Sequence, residues 1–336
     1  MRPRSITFYL AALCAFALPA FAADTAQIAA ETLLDRARQL SDIRRPNAPP
    51  FRLKASFSFI GDQLETFEGT YVEMWASDTQ WRREITVKDM RRVEVGGPNR
   101  RWLLETGRSL PQQGERIPRI VEMFPPGLAK LEFETLENET SPNLSAKCAI
   151  AKPIGEHKAR NALCFEEKSG ALIESVTPEF IHERTADYSC AYGMFQKFGN
   201  QLVPYEADCR LNGHRQLEVH IEEIVAQTFT DQTPFNPPEG AIELGRCSSG
   251  GTPPVAQSTP EPIFPAGQRE ISTWVNLRLI VDAKGKPQNV QVVRSGGKTF
   301  DEMAAGAVRR WIFKPATCEA KPVSVQIEVE VPFRSR

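Results

Sequence analysis

The stretch Trp274–Phe333, WVNLRLIVDAKGKPQNVQVVRSGGKTFDEMAAGAVRRWIFKPATCEAKPVSVQIEVEVPF, decides the fold of the C-terminal part of this chain. Val275, Leu277, Leu279 and Val281 alternate with Asn276, Arg278, Ile280 and Asp282, the period of a half-buried strand. Ala283–Pro287 is a turn, and Val290 and Val292 open a second strand that closes at Ser295-Gly296-Gly297, so the two read as a hairpin. Thr299 to Glu302 has the spacing of a capping box, in which the Thr299 hydroxyl accepts from the amide of Glu302. A helix follows, with Phe300, Met303, Ala304, Ala307, Val308 and Trp311 on one stripe and Arg309 and Arg310 near the negative end of its dipole. Pro315 stops it. Val323, Val325, Ile327, Val329, Val331 and Phe333 then alternate with Ser324, Gln326, Glu328 and Glu330, a long last strand with one polar face.

These residues also carry a resemblance. The run Val-x-Leu-x-Leu-x-Val-Asp-x-x-Gly, then Val-x-Val-Val-Arg-Ser-Gly-Gly, then Phe-Asp-x-x-Ala-x-x-Ala-Val-Arg-Arg-Trp-x-Phe-Lys-Pro-Ala, then Lys-Pro-Val, resembles the C-terminal domain of TonB-family energy transducers over residues 262–334. The Tyr-Pro with which such domains open is matched by Phe264-Pro265. The resemblance implies a periplasmic domain that pairs with an extended peptide of an outer-membrane transporter by strand addition. The last strand suits that, because a three-stranded sheet has two edges, and Val323, Val325, Gln326, Ile327, Val329 and Val331 are the candidate partner-binding residues. Glu328, Glu330 and Pro332 have a blander explanation as guards against edge-to-edge aggregation.

The N-terminus sets the expected compartment. Arg2 and Arg4 precede the apolar run Ile6–Leu18, Pro19 breaks it, and Ala20-Phe21-Ala22 has the small-x-small cleavage pattern, so residues 1–22 read as a secretory signal peptide and the protein as periplasmic. The alternative is an uncleaved inner-membrane anchor, but a spanning helix needs about 20 apolar residues. Cys14 leaves with the signal. Cys148, Cys164, Cys190, Cys209, Cys247 and Cys318 remain, an even set in an exported chain, and order along the chain pairs Cys148 with Cys164, Cys190 with Cys209 and Cys247 with Cys318. No metal site is expected: there is no Cys-x-x-Cys, and His157, His182, His214 and His220 lie in separate segments.

Between signal and C-terminal module, residues 24–245 open with an amphipathic helix, Ala26–Leu40, and then turn to strands. Phe51, Leu53, Ala55, Phe57 and Phe59 alternate with Arg52, Lys54, Ser56 and Ser58. Further strands are expected at Thr66–Ala76, Gln80–Val87, Arg91–Val95, Arg101–Glu105, Lys130–Leu136, Ala162–Glu167, Leu172–Val176, Leu202–Arg210 and Gln216–Ile224, with a short helix at Ile117–Phe124. Asn138-Glu139-Thr140 and Asn143-Leu144-Ser145 match the N-glycosylation pattern and read only as surface loop. The fold class is therefore α+β: a mainly antiparallel β domain with a short N-terminal helix, plus a small β-β-α-β domain over residues 266–336. The larger domain is similar to the half-barrel of periplasmic lipoprotein carriers. That resemblance implies that Phe57, Phe59, Tyr71, Trp75, Trp81 and Trp102 line a surface for an acyl chain or lipidated partner, although Trp81 and Trp102 could equally be ordinary sheet core.

Residues 246–265, with Pro253, Pro254, Pro260, Pro262 and Pro265, have linker composition. At about 3.1 Å per residue this linker reaches only tens of ångströms, so the chain is expected to lack the span and the energy-harvesting anchor of a complete transducer. With 41 Lys and Arg against 42 Asp and Glu, and no basic block, nucleic acid is not an expected partner. No Gly-x-Ser-x-Gly, His-Glu-x-x-His or phosphate-binding loop is present, so neither an enzyme nor a cofactor is expected. Two functions remain: a domain that binds an envelope protein by strand addition, or a carrier of lipid or lipoprotein acyl chains.

Overall fold

A computed structural model describes residues 18–61, 64–124, 128, 130–141, 144–153, 160–181, 184–245, 251–263 and 272–334. The first elements are α1 (Leu18–Ser41), β1 (Phe51–Ile60), β2 (Thr66–Ser77), β3 (Gln80–Val87), β4 (Met90–Gly96), β5 (Arg100–Thr106) and α2 (Gln112–Glu122). They are followed by β6 (Phe133–Ser141), β7 (Leu144–Ala151), β8 (Ala162–Glu166), β9 (Leu172–Ile181), β10 (Arg184–Phe198), β11 (Gln201–Leu211), β12 (His214–Ala226) and β13 (Ile242–Gly245). The C-terminal part holds β14 (Val255–Ser258), β15 (Thr273–Val281), β16 (Pro287–Arg294) and α3 (Lys298–Val308). It ends with β17 (Ile312–Lys314), β18 (Ala316–Cys318), β19 (Lys321–Val323) and β20 (Val325–Phe333). The class is α+β, as the alternation of the sequence implied. The chain divides into two compact units, residues 1–41 with 125–191, and residues 42–124 with 192–336.

In the first unit β6, β7, β8 and β9 pair in sequence order with the beginning of β10, each neighbour antiparallel. α1 packs on β6. The side-chain amide of Gln27 clamps the start of that strand, accepting from the Phe133 amide at 2.6 Å and donating to the Leu131 carbonyl at 3.4 Å. Cys148 and Cys164 face each other in the β7–β8 register and are joined by a disulfide. Cys190, Cys209 and Cys318 are also disulfide-bonded, while Cys247 lies outside the described residues. Asn138, Glu139 and Thr140, read as loop from the glycosylation pattern, lie on β6 instead and are exposed there; Asn143 is outside the described residues.

In the second unit the order β13-β5-β4-β3-β2-β1-β12-β11 forms an antiparallel sheet, so that β1 lies between β2 and β12 although β12 follows it by more than a hundred residues. The alternation read in β1 is borne out: Phe51, Leu53, Ala55, Phe57 and Phe59 are buried, and the residues between them are half-exposed. α2 packs on β1 and β12 with Ile117 and Ile120 buried beneath it.

The C-terminal strands form a second sheet in the order β16-β15-β20. Val275, Leu277, Leu279, Val281, Val331 and Phe333 face α3, whose Phe300, Ala304, Ala305 and Val308 complete a core with Phe313. The hairpin turn needs a glycine at position 285, where φ is +79° and a Cβ would sit 1.8 Å from the Phe313 carbonyl oxygen. The expected capping box is not formed. α3 begins at Lys298, one residue before Thr299, with Gly297 as its cap and no side-chain cap hydrogen bond. Asp301 ties down the approach to the helix instead, accepting from the Gly296 amide at 2.9 Å and from the Ser295 hydroxyl at 2.6 Å. The proline-rich stretch carries a strand of its own: β14 pairs with β17, and Thr252 bridges Thr317 through amides at 3.0 and 3.1 Å.

Candidate functional site

Three groups of residues in the second unit bear on function: the edge of β20, the aromatic face of the large sheet, and a set of buried charges. Among the described residues β20 pairs with β15 alone, in a register running from Val281 opposite Val325 to Thr273 opposite Phe333. Of the expected partner-binding residues, Val325, Gln326, Ile327, Val329 and Val331 lie on this strand, whereas Val323 belongs to β19 and pairs with Ala316 of β18. Val325, Ile327 and Val329 are half-buried, and Val331 is buried. The approach to the edge is obstructed at its start, because the Gly245 amide of β13 donates to the Ser324 carbonyl at 2.8 Å.

The six candidate lining residues do not share one face. Register places Trp75 opposite Trp81 and Trp81 opposite Gly96, so that both tryptophans lie on the face that also bears Phe57, Phe59 and Tyr71. Trp102 pairs with Val95 and Val95 with Arg82, so Trp102 points to the other side and is only half-buried. The five that do share a face are filled in among themselves. Phe51 stacks on Trp75 at 5.5 Å, Phe57 on Phe59 at 6.2 Å and Phe59 on Phe67 at 5.0 Å. Trp81 lies over Gly96, where a Cβ would meet its ring at 2.1 Å. The cleft between α2 and β11–β12 holds about 10 Å³.

The same face carries charges that periodicity alone did not single out. Glu73, fully buried on β2, accepts from Arg44 and from Arg83 (3.1 Å) and takes the Tyr71 hydroxyl at 3.0 Å. Burial by itself would push the Glu73 carboxyl up, but the guanidinium groups of Arg44 and Arg83 outweigh it and hold the pKa down at about 2. Burial raises the Tyr71 phenol well above its usual range, and the Glu73 charge adds to that. α2 closes over this cluster: the Val121 carbonyl accepts from Arg44, and Glu122 lies 3.8 Å from Arg83.

A second cluster sits where the C-terminal sheet meets β4, β5 and α2. Arg92 of β4 donates to Glu94, to Glu105 of β5 at 2.6 Å and to Glu115 of α2 at 2.7 Å. Arg278 of β15, only 2% exposed, donates to the same Oε1 of Glu115 at 2.8 Å, to the Leu110 carbonyl at 3.4 Å and to Glu328 of β20 at 3.0 Å. Gln326 accepts from Arg92 at 3.1 Å, and Asn289 of β16 donates to Glu105 at 2.9 Å. Beside them Ile280 packs on Leu103 and Leu244, with Ile242 at the margin. The polar face of the C-terminal sheet is thus covered at Arg278 and Ile280, while Glu328 and Glu330 stay exposed. Ile280, an apolar residue in the polar register of β15, was the signal for this in the sequence.

Glu139, Cys148 and Cys164 bring a carboxylate and two sulfurs within 4.8 Å of one another, but both sulfurs are spent in the disulfide, so this group is not a metal-ligand set. Among the described residues no helix is long and apolar enough to cross a membrane.

Residues 261–335 match the family of Gram-negative bacterial TonB protein C-terminal sequences. The C-terminal domain is therefore TonB-like. No curated protein matches the chain. Among solved structures it is similar to an outer membrane lipoprotein-sorting protein domain from Vibrio parahaemolyticus, at 10% identity and a TM-score of 0.44, covering 64% of this chain and 97% of that one. A LolA superfamily protein from Nitrosomonas europaea is 10% identical over 62% of this chain and 97% of its own, with a TM-score of 0.40. The MucA/MucB complex of Pseudomonas aeruginosa gives 9% identity, 90% and 94% coverage and a TM-score of 0.26. The TonB-like domain points to a bacterial cell-envelope protein.

Proposed function

We propose that the chain is an exported periplasmic protein that binds an envelope protein, of the outer-membrane transporter type, through strand addition along β20. The observation that carries this is the conjunction of the TonB-family match over residues 261–335 with a last strand that, among the described residues, pairs on one side only. An added strand would hydrogen-bond to the backbone from Gln326 onward, and the half-buried Ile327 and Val329 would meet its apolar residues. Such an interface is small and the complex transient. The protein acts by binding.

Crosslinking in the periplasm, with and without residues 260–336, identifies the partner. Gln326→Pro and Ile327→Pro then each remove a backbone donor from the strand, and both are expected to abolish binding of the partner's peptide. Unchanged affinity in variants whose α3 remains folded rejects strand addition.

A second reading has one observation in its favour, the five large aromatic side chains on one face of the sheet. In it, the β domain of residues 24–245 carries an acyl chain, which would displace α2 and wedge apart the rings now stacked on one another. Native mass spectrometry with no co-purified lipid, and no uptake of a fluorescent fatty acid, would exclude it.

A further inference from the structure

Seven charged side chains meet where the polar face of β15–β20 lies on β4, β5 and α2. The cations are Arg92, Arg101 and Arg278, and the anions are Glu94, Glu105, Glu115 and Glu328. One carboxylate is in excess, and it is placed where water cannot easily neutralise it. Glu115 is the junction, since its Oε1 takes both the Arg92 and the Arg278 bond, leaving Oε2 to carry a proton. The surrounding contact is sparse in apolar area: beyond Ile280 on Leu103 and Leu244, the docked face is held by polar groups, including Gln326 on Arg92 and Asn289 on Glu105. The same docking brings β13 against the start of β20, with the Gly245 amide on the Ser324 carbonyl and the Val323 side chain within 2.6 Å of where a Gly245 Cβ would stand.

We propose that the Arg92–Glu115–Arg278 junction is a proton-responsive latch, which when closed holds the C-terminal domain on the β domain and keeps β13 across the beginning of the β20 edge. The latch stands on the cluster itself, and only its consequence for partner binding rests on the strand-addition reading. The direction follows from the charges. Burial, with Glu105 and Glu94 nearby, raises the Glu115 pKa to about 7 despite Arg92 and Arg278. Undocked and hydrated, the group returns toward its ordinary value near 4.5. A raised pKa in the docked state means that protons favour docking. Closure is fully supported below pH 4.5, weakens as pH rises from there to 7, and is weakest above 7. Opening lengthens the pairing edge by freeing the residues around Ser324.

Hydrogen exchange on the protein alone, from pH 4.5 to 8 and corrected for intrinsic rates, tests this. Peptides over residues 241–245 and 321–328 report the latch, and the peptide over α3, residues 298–308, reports whether the domain itself stays folded. Opening at the first two is expected to grow on the order of 100-fold across the range, at up to tenfold per pH unit, with α3 protection unchanged. Glu115→Gln, which keeps the shape and removes the titration, is expected to hold the latch peptides protected at every pH. Arg278→Met is expected to open them at every pH. Equal protection of the wild type at pH 5 and 8, or a Glu115→Gln protein that keeps the wild-type pH dependence, overturns the proposal. If Arg278→Met also unfolds α3, the Glu115→Gln comparison decides alone. Because no partner is present, failure of the latch is a separate result from failure of strand addition, which is read from Ile327→Pro, since Gln326 also bonds Arg92 in the latch.

Discussion

Glu73 shows what one residue can be asked to do inside a sheet. Its carboxylate is fully buried, yet it is bonded by two guanidinium groups and a phenol, so the cost of taking the charge out of water is offset within hydrogen-bonding distance. Among the described residues, removing it leaves Arg44 with only the Val121 carbonyl as acceptor and Arg83 with only the more distant Glu122 at 3.8 Å, both largely shielded from water. Glu73→Ala is therefore expected to cost about 3–5 kcal/mol in urea unfolding, and a loss under 1 kcal/mol would mean that the two arginines find other partners or water. Little of this could be read in advance. Glu73 stands in the apolar register of β2, between Tyr71 and Trp75, and a polar residue at such a position signals a buried partner without saying which. Both partners are remote or on another strand: Arg44 lies in the connection before β1, and Arg83 reaches Glu73 only once β3 has folded back on β2.

At the scale of elements, alternation was the legible property and termini were not. β3 spans the residues that periodicity assigned, and β1 shows the expected burial, because one face of each strand meets a core and the other does not. β7 and β10 were missed, since Cys148, Ala149 and Ala151 blur the period in one, and in the other the buried alternating set Ala186, Tyr188, Cys190 and Tyr192 is small or carries polar atoms. The hairpin β15–β16 was found through its turn, and that turn makes a prediction of its own. Asp282 accepts from the Lys284 and Lys286 amides at 2.9 and 2.8 Å, while Gly285 takes the left-handed conformation and receives the Phe313 amide at 2.9 Å. Gly285→Ala adds left-handed strain and a collision with the Phe313 carbonyl, and is expected to cost about 1–3 kcal/mol. The loss should be read as lowered protection of α3 and β15 in hydrogen exchange, with β1 to β3 unaffected. A Gly285→Ala protein as protected as the wild type would show that the loop can rebuild around a Cβ. The disulfide between β7 and β8 gives an element-level prediction in the first unit. It closes a loop of sequence separation 16, and Cys148→Ser with Cys164→Ser is expected to cost about 3 kcal/mol there.

At the scale of the whole molecule, the buried carboxylates oppose one another in their pH dependence. Glu73 and Glu94 have folded pKa values held down at about 2 by their arginines, against an ordinary 4.5. Each therefore adds stability that is fully present above pH 4.5 and is lost as pH falls through 2, up to about 3 kcal/mol apiece. Glu115 runs the other way. Its pKa, raised to about 7, removes up to about 3 kcal/mol as pH climbs from 4.5 to 7. Stability should accordingly peak near pH 4.5 to 5, falling steeply on the acid side and by a smaller step on the neutral side. Urea midpoints from pH 2.5 to 8, with disulfides intact, measure both limbs. Glu115→Gln should flatten the neutral limb and leave the acid limb as it was, because Glu115 is already protonated across the acid limb and Gln reproduces that neutral form beside Arg92 and Glu94. A neutral limb that survives Glu115→Gln would assign it to another group, and with it would go the claim that the junction between the C-terminal sheet and the β domain is where this molecule senses protons.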